Sequence, residues 1–467
     1  MRRPLTFLKQ ALPFVLAVGI WLTPVPAGLT PPAWHLFAVF ASAIASVLIG
    51  SFPLLPSALL AVAAVVLTGT ISPAKAFAGF ANLSVLLVVI AFLVAIAVVK
   101  SGLGRRISLF MVSLFGKSSV GLAYSIVITD AIIAPGFPSN TARGGVLFPI
   151  VLSVASGSGS RPEEPEGRKL GGYLMFCGMA SLSVSSALWM TATSANPLGV
   201  QIVKGFGVEI GFGKWLVVAA VPALIALLLL PWLVARIFPP GIGQTPDAPV
   251  AARKELAALG PLKRDEWITA GIFAFMILGW VFGDSLQLNA TSVAFAGLGM
   301  LLMSNVLALK DIAEHGEALE TFLWLAVLFA LSGQLNELGF MGYVGQRLAS
   351  YIVGLSWQMT YVILLALYVL IHYMFVSQTS QVLALLGVFL DVGVRGGVPA
   401  PLMAFALLFA SSYFSVITPQ GGSQNVIFVG SGYLTQRELY RLGLLTTLFF
   451  LAVFLTIGTG WLMLVAR

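Results

Sequence analysis

The sequence predicts an all-α polytopic membrane protein with about 11 transmembrane helices, two re-entrant hairpins and inverted-topology repeats. Three observations predict it. The 467 residues are 59% hydrophobic and only 9% charged, with mean hydropathy +1.00, whereas a soluble domain carries roughly 25% charged residues. The apolar residues fall in windows near twenty, the length that crosses a ~30 Å hydrocarbon core as a helix. Alternating ~10-residue segments of a membrane barrel are not seen. Finally, the second half of the chain repeats features of the first. The net charge of +8 matches the Lys/Arg excess of cytoplasmic loops rather than a nucleic-acid surface. A single cysteine, Cys177, excludes an internal disulfide framework and a cysteine metal cluster.

Taken in order, Met1-Arg2-Arg3 and the apolar run behind them resemble a signal peptide. Hydrophobic segments continue, so residues 8–28 are expected to be an uncleaved first span within an N-terminal segment 1–32. Further spans are expected at 34–52, 55–71, 83–100, 169–198, 214–238, 266–286, 291–309, 318–338, 399–434 and 439–465. Two apolar stretches, 121–155 and 357–393, are each interrupted by a polar knot. After Ser139-Asn140-Thr141 the return arm 142–155 would be about 21 Å long at ~1.5 Å per residue, too short to cross. A hairpin fits, because irregular backbone at membrane depth survives only inside protein or beside water. The second stretch breaks at Ser377-Gln378-Thr379 with an equally short return, although its first arm, 357–375, is long enough to cross. With the N-terminus inside, most of the 25 basic residues lie on the inner side. Lys75, Lys204, Lys214, Arg347, Arg395 and Arg467 fall outside and Arg143 within the membrane. That bias predicts a cytoplasmic N-terminus in a bacterial-type inner membrane.

The repeat shows in spacing. Gly102 and Gly339 are 237 residues apart, and Ser139 and Ser377 are 238 apart. Apart from the first span, each half has five crossings and one hairpin, and an odd number of crossings inverts the second half. The expected organisation is a first repeat at 33–238, a cytoplasmic linker at 239–265 and a second repeat at 266–467. Inverted repeats with interrupted helices point to a secondary transporter.

Two later helices are also broken, at 190–197 and 417–425. Helix N-termini offer N–H groups and a positive dipole end to an anion. The candidate binding residues are Ser139, Asn140 and Thr141 at one tip, Ser377, Gln378 and Thr379 at the other, and Thr193, Asn196 and Thr418 in the breaks. Facing tips would each hold one carboxylate of a small dianion. Unwound carbonyls also suit Na⁺, around Asn140, Thr193, Gln378, Thr418 and Asn425, although the sequence defines no metal ligand set. The bland alternative is that these residues cap helices or bond across them. Arg143, two residues past the tip, is expected as a positive charge beside the anion, against a snorkelling or paired arginine. Arg143→Ala would then lose tight binding without loss of folding. Asp130, nine residues before the tip, is expected at a different depth from Arg143, with structural pairing or capping weighed at least equally with a proton role. His372 reads as a satisfied interhelical histidine. No HExxH, Walker loop, zinc pattern or nucleophile elbow occurs, and no cofactor or enzymatic activity is expected; only Asp130 and Asp391 could serve an intramembrane enzyme.

The strings APGFPSNTARGGVLFPI (134–150), ANPLGVQIVK (195–204), LGPLKRDEW (259–267), LIHYMFVSQT (370–379) and GSGYLT (430–435) resemble the divalent anion:sodium symporter family. The likeness is greatest to its branch of chloroplast 2-oxoglutarate/malate translocators and bacterial citrate:succinate antiporters, and it runs from about residue 35 to the C-terminus. The resemblance implies a homodimer in which a transport domain moves elevator-fashion against a scaffold. It implies carboxylate binding at 139–141 and 377–379, with 193–196 and 418–425 as substrate or sodium loops. Two departures stand out. That branch often has a histidine where this chain has Gln381, and the Thr418-Pro419 and Asn425 of the second break resemble sodium-coupled relatives. A fixed cation can replace Na⁺ and favour exchange; Arg143 supplies one in the first half and Gln381 none in the second. The expected function is a carrier of malate, succinate, 2-oxoglutarate or citrate, by exchange first. Na⁺-coupled dicarboxylate or sulfate symport is the alternative, and an anion channel the alternative from another class.

Overall fold

A computed structural model of the chain describes residues 2–466 apart from Pro165, Val353 and Val376, and only the backbone of residues 2–8. Arg467, expected on the outer side, and Val376 of the second hairpin lie outside the described residues, as do the side chains of Arg2 and Arg3. The described chain is helical throughout, with a single isolated bridge between Ser118 and Gln244. Among the described residues, seven helices are long and apolar enough to cross a membrane, or eight if the bent pair Phe340–Ile352 and Trp357–His372 counts as one span. Other expected spans are shorter apolar helices, such as Leu54–Leu67, Ala290–Met303 and Ala400–Tyr413.

The chain forms two compact units, each drawing on both halves of the sequence. One comprises Met1–Val89, Pro197–Glu209 and His315–Leu408; the other comprises Ile90–Asn196, Ile210–Glu314 and Phe409–Arg467. In the first, Gly316–Glu337 packs on Pro31–Ile49 and Leu54–Leu67, and Phe340–Ala349 packs on Gln378–Arg395. Ser332 donates to the Leu383 carbonyl at 2.6 Å. In the second, Arg168–Leu188 is the central post, buried at every position from Leu170 to Leu188. Around it stand Ser119–Ile133, Asn140–Gly157 and Phe212–Ile237. A helix buried all round puts its serines among protein atoms, where each needs a partner. Trp215 closes one side, its indole donating to the Ala187 carbonyl at 2.9 Å and its ring edge-on to Phe409.

The repeat is visible in the backbone. Gly102 (φ 78°) opens the helix Leu103–Phe115 and Gly339 (φ 82°) opens Phe340–Ala349, a left-handed conformation that glycine adopts at little cost. The linker is not structureless. Asp247–Leu259 forms a helix on Leu103–Phe115, fastened by Arg105–Glu255 at 2.9 Å and by Thr245 N–H to the Lys117 carbonyl at 2.9 Å.

One expectation is corrected here. The return arms are not 14-residue segments: Asn140–Gly157 and Gln378–Arg395 each have 18 residues, about 27 Å of helix. Asn140 and Thr141, like Gln378 and Thr379, begin the helices instead of a loop ahead of them, and each arm also runs two residues further at its far end, to Gly157 and Arg395.

Close approach marks one position of mechanical consequence. Gly443, in the helix Gln436–Val453, lies against the second broken segment, and a Cβ there would stand 2.3 Å from the Val416 carbonyl oxygen and 2.5 Å from Ile417 Cα. Backbone cannot yield as a side chain does. Gly443→Ala is expected to cost about 1–3 kcal/mol of overpacking or more and to lower both the melting temperature and transport. A variant matching the native protein in both would show that the segment moves freely.

Candidate anion-binding site

Both tips are built alike. Ser139 (φ −138°, ψ 123°) caps Asn140–Gly157, its hydroxyl accepting the Ala142 N–H at 3.3 Å. Ser377 (φ −129°, ψ 125°) caps Gln378–Arg395 and accepts the Ser380 N–H at 3.4 Å. An extended serine followed by helical residues is the ordinary N-cap arrangement, and it leaves the helix start electropositive. At the first tip Asn140 is buried, Ser139 half-buried and Thr141 exposed; at the second, Thr379 is buried and Ser377 and Gln378 half-buried.

The breaks repeat each other at a spacing of 229 residues. Trp189 and Thr418 are extended, a short 3₁₀ turn follows at Met190–Ala192 and at Pro419–Gly421, and Thr193 and Gly422 are extended again. An asparagine locks each break. Asn196 Nδ2 donates to the Ser186 and Trp189 carbonyls at 2.7 and 3.1 Å; Asn425 Nδ2 donates to the Ser415 and Thr418 carbonyls at 2.7 and 2.9 Å. These are carbonyls that an interrupted helix cannot satisfy itself. The first break is stitched to the first tip, with Ser194 N–H on the Pro138 carbonyl at 2.9 Å and Thr191 Oγ1 on the Pro135 carbonyl at 2.8 Å. The second break reaches the same unit's central helix through Ser183, which bonds Ser415 at 2.7 Å and accepts from Gln424 at 3.1 Å.

Arg143 is fully buried, and so is Asp130. Its Nε lies 3.1 Å from Asp130 Oδ1, which corrects the expectation that the two sit at different depths. The approach helix Ser119–Ile133 and the tip helix pack side by side, so residues on either side of the tip return to one level. Ser181 and Ser185 donate to Asp130 Oδ2 at 2.5 and 2.6 Å. Arg143 Nη2 donates to Asn140 Oδ1 (3.1 Å), the Leu182 carbonyl (2.7 Å) and Ser186 Oγ (2.7 Å), while Ser186 Oγ also meets Asn140 Oδ1 at 2.6 Å. A buried charge needs this pairing, and it fastens the guanidinium directly under Asn140 of the tip.

Thus Ser139, Asn140, Thr141, Arg143, Thr193, Asn196, Thr418 and Asn425 belong to one unit, and Ser377, Gln378 and Thr379 to the other. Four buried oxygens in the former, Asn196 Oδ1, Thr418 Oγ1, Gln424 Oε1 and Asn425 Oδ1, have no hydrogen-bond partner among the described residues. Neutral oxygens of this kind suit a hard cation. No cluster of three or more His, Cys, Asp or Glu able to hold a metal occurs among the described residues.

A family model described as the sodium:sulfate symporter transmembrane region matches residues 5–467. The chain belongs to the sodium:sulfate symporter family. This is the divalent anion:sodium symporter family that the tip motifs resemble. YflS of Bacillus subtilis, which carries the name of a malate transporter, is 37% identical over 96% of this chain and 94% of its own. Dicarboxylate transporter 2, chloroplastic, of Spinacia oleracea is 35% identical over 97% and 82%. The citrate/succinate antiporter of Escherichia coli K12 is 32% identical over 96% of each. The solved YdaH transporter of Alcanivorax borkumensis has TM-score 0.60 at 15% identity, covering 98% of this chain and 97% of its own, a likeness of fold alone.

For this sodium:sulfate symporter family member, the sequence left several site residues unmarked. Ser181, Ser185 and Ser186 hold the ion pair, and Ser183, Ser415 and Gln424 join the second break to the central helix. One signal was present: Ser181 and Ser185 recur at one helical turn in a segment without a charged residue, a pattern that wants an interior polar partner.

Proposed function

We propose that this chain is a secondary transporter of di- and tricarboxylates, such as malate, succinate, 2-oxoglutarate or citrate, that works by anion exchange. The relatives named as dicarboxylate transporters and as a citrate/succinate antiporter support the cargo class. One observation carries the chemistry: a buried guanidinium, Arg143, bonded to Asn140 at the head of an 18-residue helix. Helix N-termini attract carboxylates, and the guanidinium below the first turn, held by Asp130, orients Asn140 at that helix start. Ser139, Asn140 and Thr141 at one tip and Ser377, Gln378 and Thr379 at the other are the proposed carboxylate ligands, with Thr193 and Thr418 from the breaks; Asn196, whose amide hydrogens both go to carbonyls, offers only its oxygen. The cycle is an elevator movement in a homodimer, as the family resemblance implies. The charge bias of the loops supports a cytoplasmic N-terminus, and the membrane is proposed to be of the bacterial inner type.

A second assignment, Na⁺-coupled symport, is favoured by the four unpartnered oxygens of the breaks and by Asp130, which cancels the charge of Arg143. Sulfate would bind helix ends by the same chemistry. Labelled succinate entering proteoliposomes discriminates. Exchange requires uptake only into vesicles preloaded with carboxylate, indifferent to Na⁺; a strict Na⁺ requirement with empty vesicles means symport. Flux that never saturates would indicate a channel, and competition by sulfate but not by malate would overturn the carboxylate assignment.

A further inference from the structure

The second hairpin holds a buried histidine for which the exchange cycle has no role. His372, 1% exposed, closes the helix Trp357–His372 six positions before Gln378. Its Nδ1 lies 2.5 Å from Gln381 Oε1, and Gln381 Nε2 donates to the Tyr368 carbonyl at 3.0 Å. A carbonyl can only accept, so the second bond identifies which end of the Gln381 amide is nitrogen. Oε1 can then only accept, and Nδ1 must carry the hydrogen. The imidazole keeps Nδ1–H in both charge states, and Nε2 is the atom that gains or loses a proton. Titration changes the charge without breaking the bond to Gln381.

The place of this pair in the repeat gives the charge its meaning. Arg143 and Gln381 are 238 residues apart, each four positions past its N-cap serine. Arg143 reaches back 13 residues to Asp130, and Gln381 reaches back 13 residues to Tyr368. One tip therefore has a guanidinium paired with Asp130 a turn below it, and the other has a titratable ring bonded to the matching position, with Tyr368 in place of the paired carboxylate. The other ionisable groups around His372 are few. Its own helix and the turn after it carry Tyr361, Tyr368 and Tyr373. The tip helix carries Asp391 and Arg395, paired at 2.6 Å, about 15 Å and more along the helix from Gln381. Of the helices on that tip helix, Phe340–Ala349 brings Arg347, stacked over Tyr343, Gly316–Glu337 brings Glu317, Glu320 and Glu337, the last paired with Lys75, and Ala195–Lys204 brings Lys204 at its far end.

We propose that His372 is a proton-binding site of the carrier, whose protonation places a positive charge behind the tip Ser377-Gln378-Thr379. The proposal rests on the carboxylate-carrier assignment. The charge is present at low pH and lost as pH rises, so dianion affinity falls with rising pH, and by reciprocity anion binding takes up a proton.

Calorimetry on the purified full-length protein tests this with 2-oxoglutarate, whose two carboxylates stay ionised between about pH 6 and pH 8. Across that range native affinity is expected to fall by up to roughly tenfold, the limit for one unit of coupled pKa change. His372→Gln is expected to bind at the weak level throughout. In two buffers of different ionisation enthalpy, the native protein should show proton uptake on binding and the variant none. Identical pH profiles for the two proteins overturn the proposal and leave the carrier assignment standing. If the variant does not fold, absence of proton uptake by the native protein overturns it equally. Failure to bind 2-oxoglutarate, malate, succinate or citrate at any pH sinks the carrier assignment instead. An imidazole NMR signal of His372 that does not titrate then removes the proton site, and one that does keeps it.

Discussion

Asp130→Asn is expected to destabilise the protein by about 3–5 kcal/mol, the cost of leaving one member of a buried ion pair without its partner. Asparagine retains an oxygen to accept from Ser181 and Ser185, which bond Asp130 Oδ2, so the substitution removes charge and little else. What remains is a guanidinium with no exposed surface and no counter-ion. Arg143→Ala should do comparable damage from the other side by stranding the Asp130 carboxylate. This revises the expectation that Arg143→Ala would spare the fold, which held only while Asp130 was placed elsewhere. The double variant Asp130→Asn/Arg143→Met removes both charges and keeps the volume, and it should recover most of the lost stability, because an apolar replacement of a buried pair is often neutral. Thermal unfolding in detergent of the native protein, Asp130→Asn, Arg143→Met and the double variant closes the cycle. A single Asp130→Asn variant as stable as the native protein would mean that the pair carries no compensation. Anion binding supplies the independent readout. The recovered double variant should fold yet bind succinate weakly, since Asn140 has lost its hydrogen-bond partner at Nη2; unimpaired binding would make the pair purely structural.

How much of this was legible beforehand follows from which forces act locally. The spans, the tips and the breaks announce themselves by composition, because lipid demands apolar helices and tolerates polar knots only inside protein. Gly102 and Gly339 mark the repeat because their left-handed backbone needs glycine. The amphipathic helix Leu103–Phe115 and the linker helix Asp247–Leu259 escaped notice, since neither has the length or uniform hydropathy of a span. Distance along the chain does not give the level of Asp130, because a hairpin folds residues on opposite sides of its tip back to one level. The serines of the central helix were unremarkable one by one; their role exists only once Asp130, Arg143 and Ser415 close on them. The division of the chain into units that each take pieces from both halves leaves no local trace at all.

Asn196→Ala and Asn425→Ala should each cost about 2–5 kcal/mol and abolish transport, although neither side chain need touch the anion for this to happen. Each amide nitrogen serves two buried carbonyls, and each carbonyl left without a donor costs about 1–3 kcal/mol. Without that clamp the break has two courses open to it: rewinding toward a continuous helix, or admitting water to the orphaned carbonyls. Both remove the extended residues Thr193 and Gly422 from their conformation. Because the ten- and seven-residue reach of the two clamps is the same, the two losses should be similar, within about 1 kcal/mol, although one asparagine precedes a proline and the other a valine. Asn→Asp is the sharper substitution: it keeps the shape, replaces the donor by an acceptor and sets oxygen against the same carbonyls, so it should be worse than alanine at both positions. The measurement is thermal unfolding together with succinate uptake in proteoliposomes. If Asn425→Asp melted with the native protein and transported, the amide would have to point its oxygen, not its nitrogen, at Ser415 and Thr418, and two buried carbonyls facing a buried oxygen would need a cation between them.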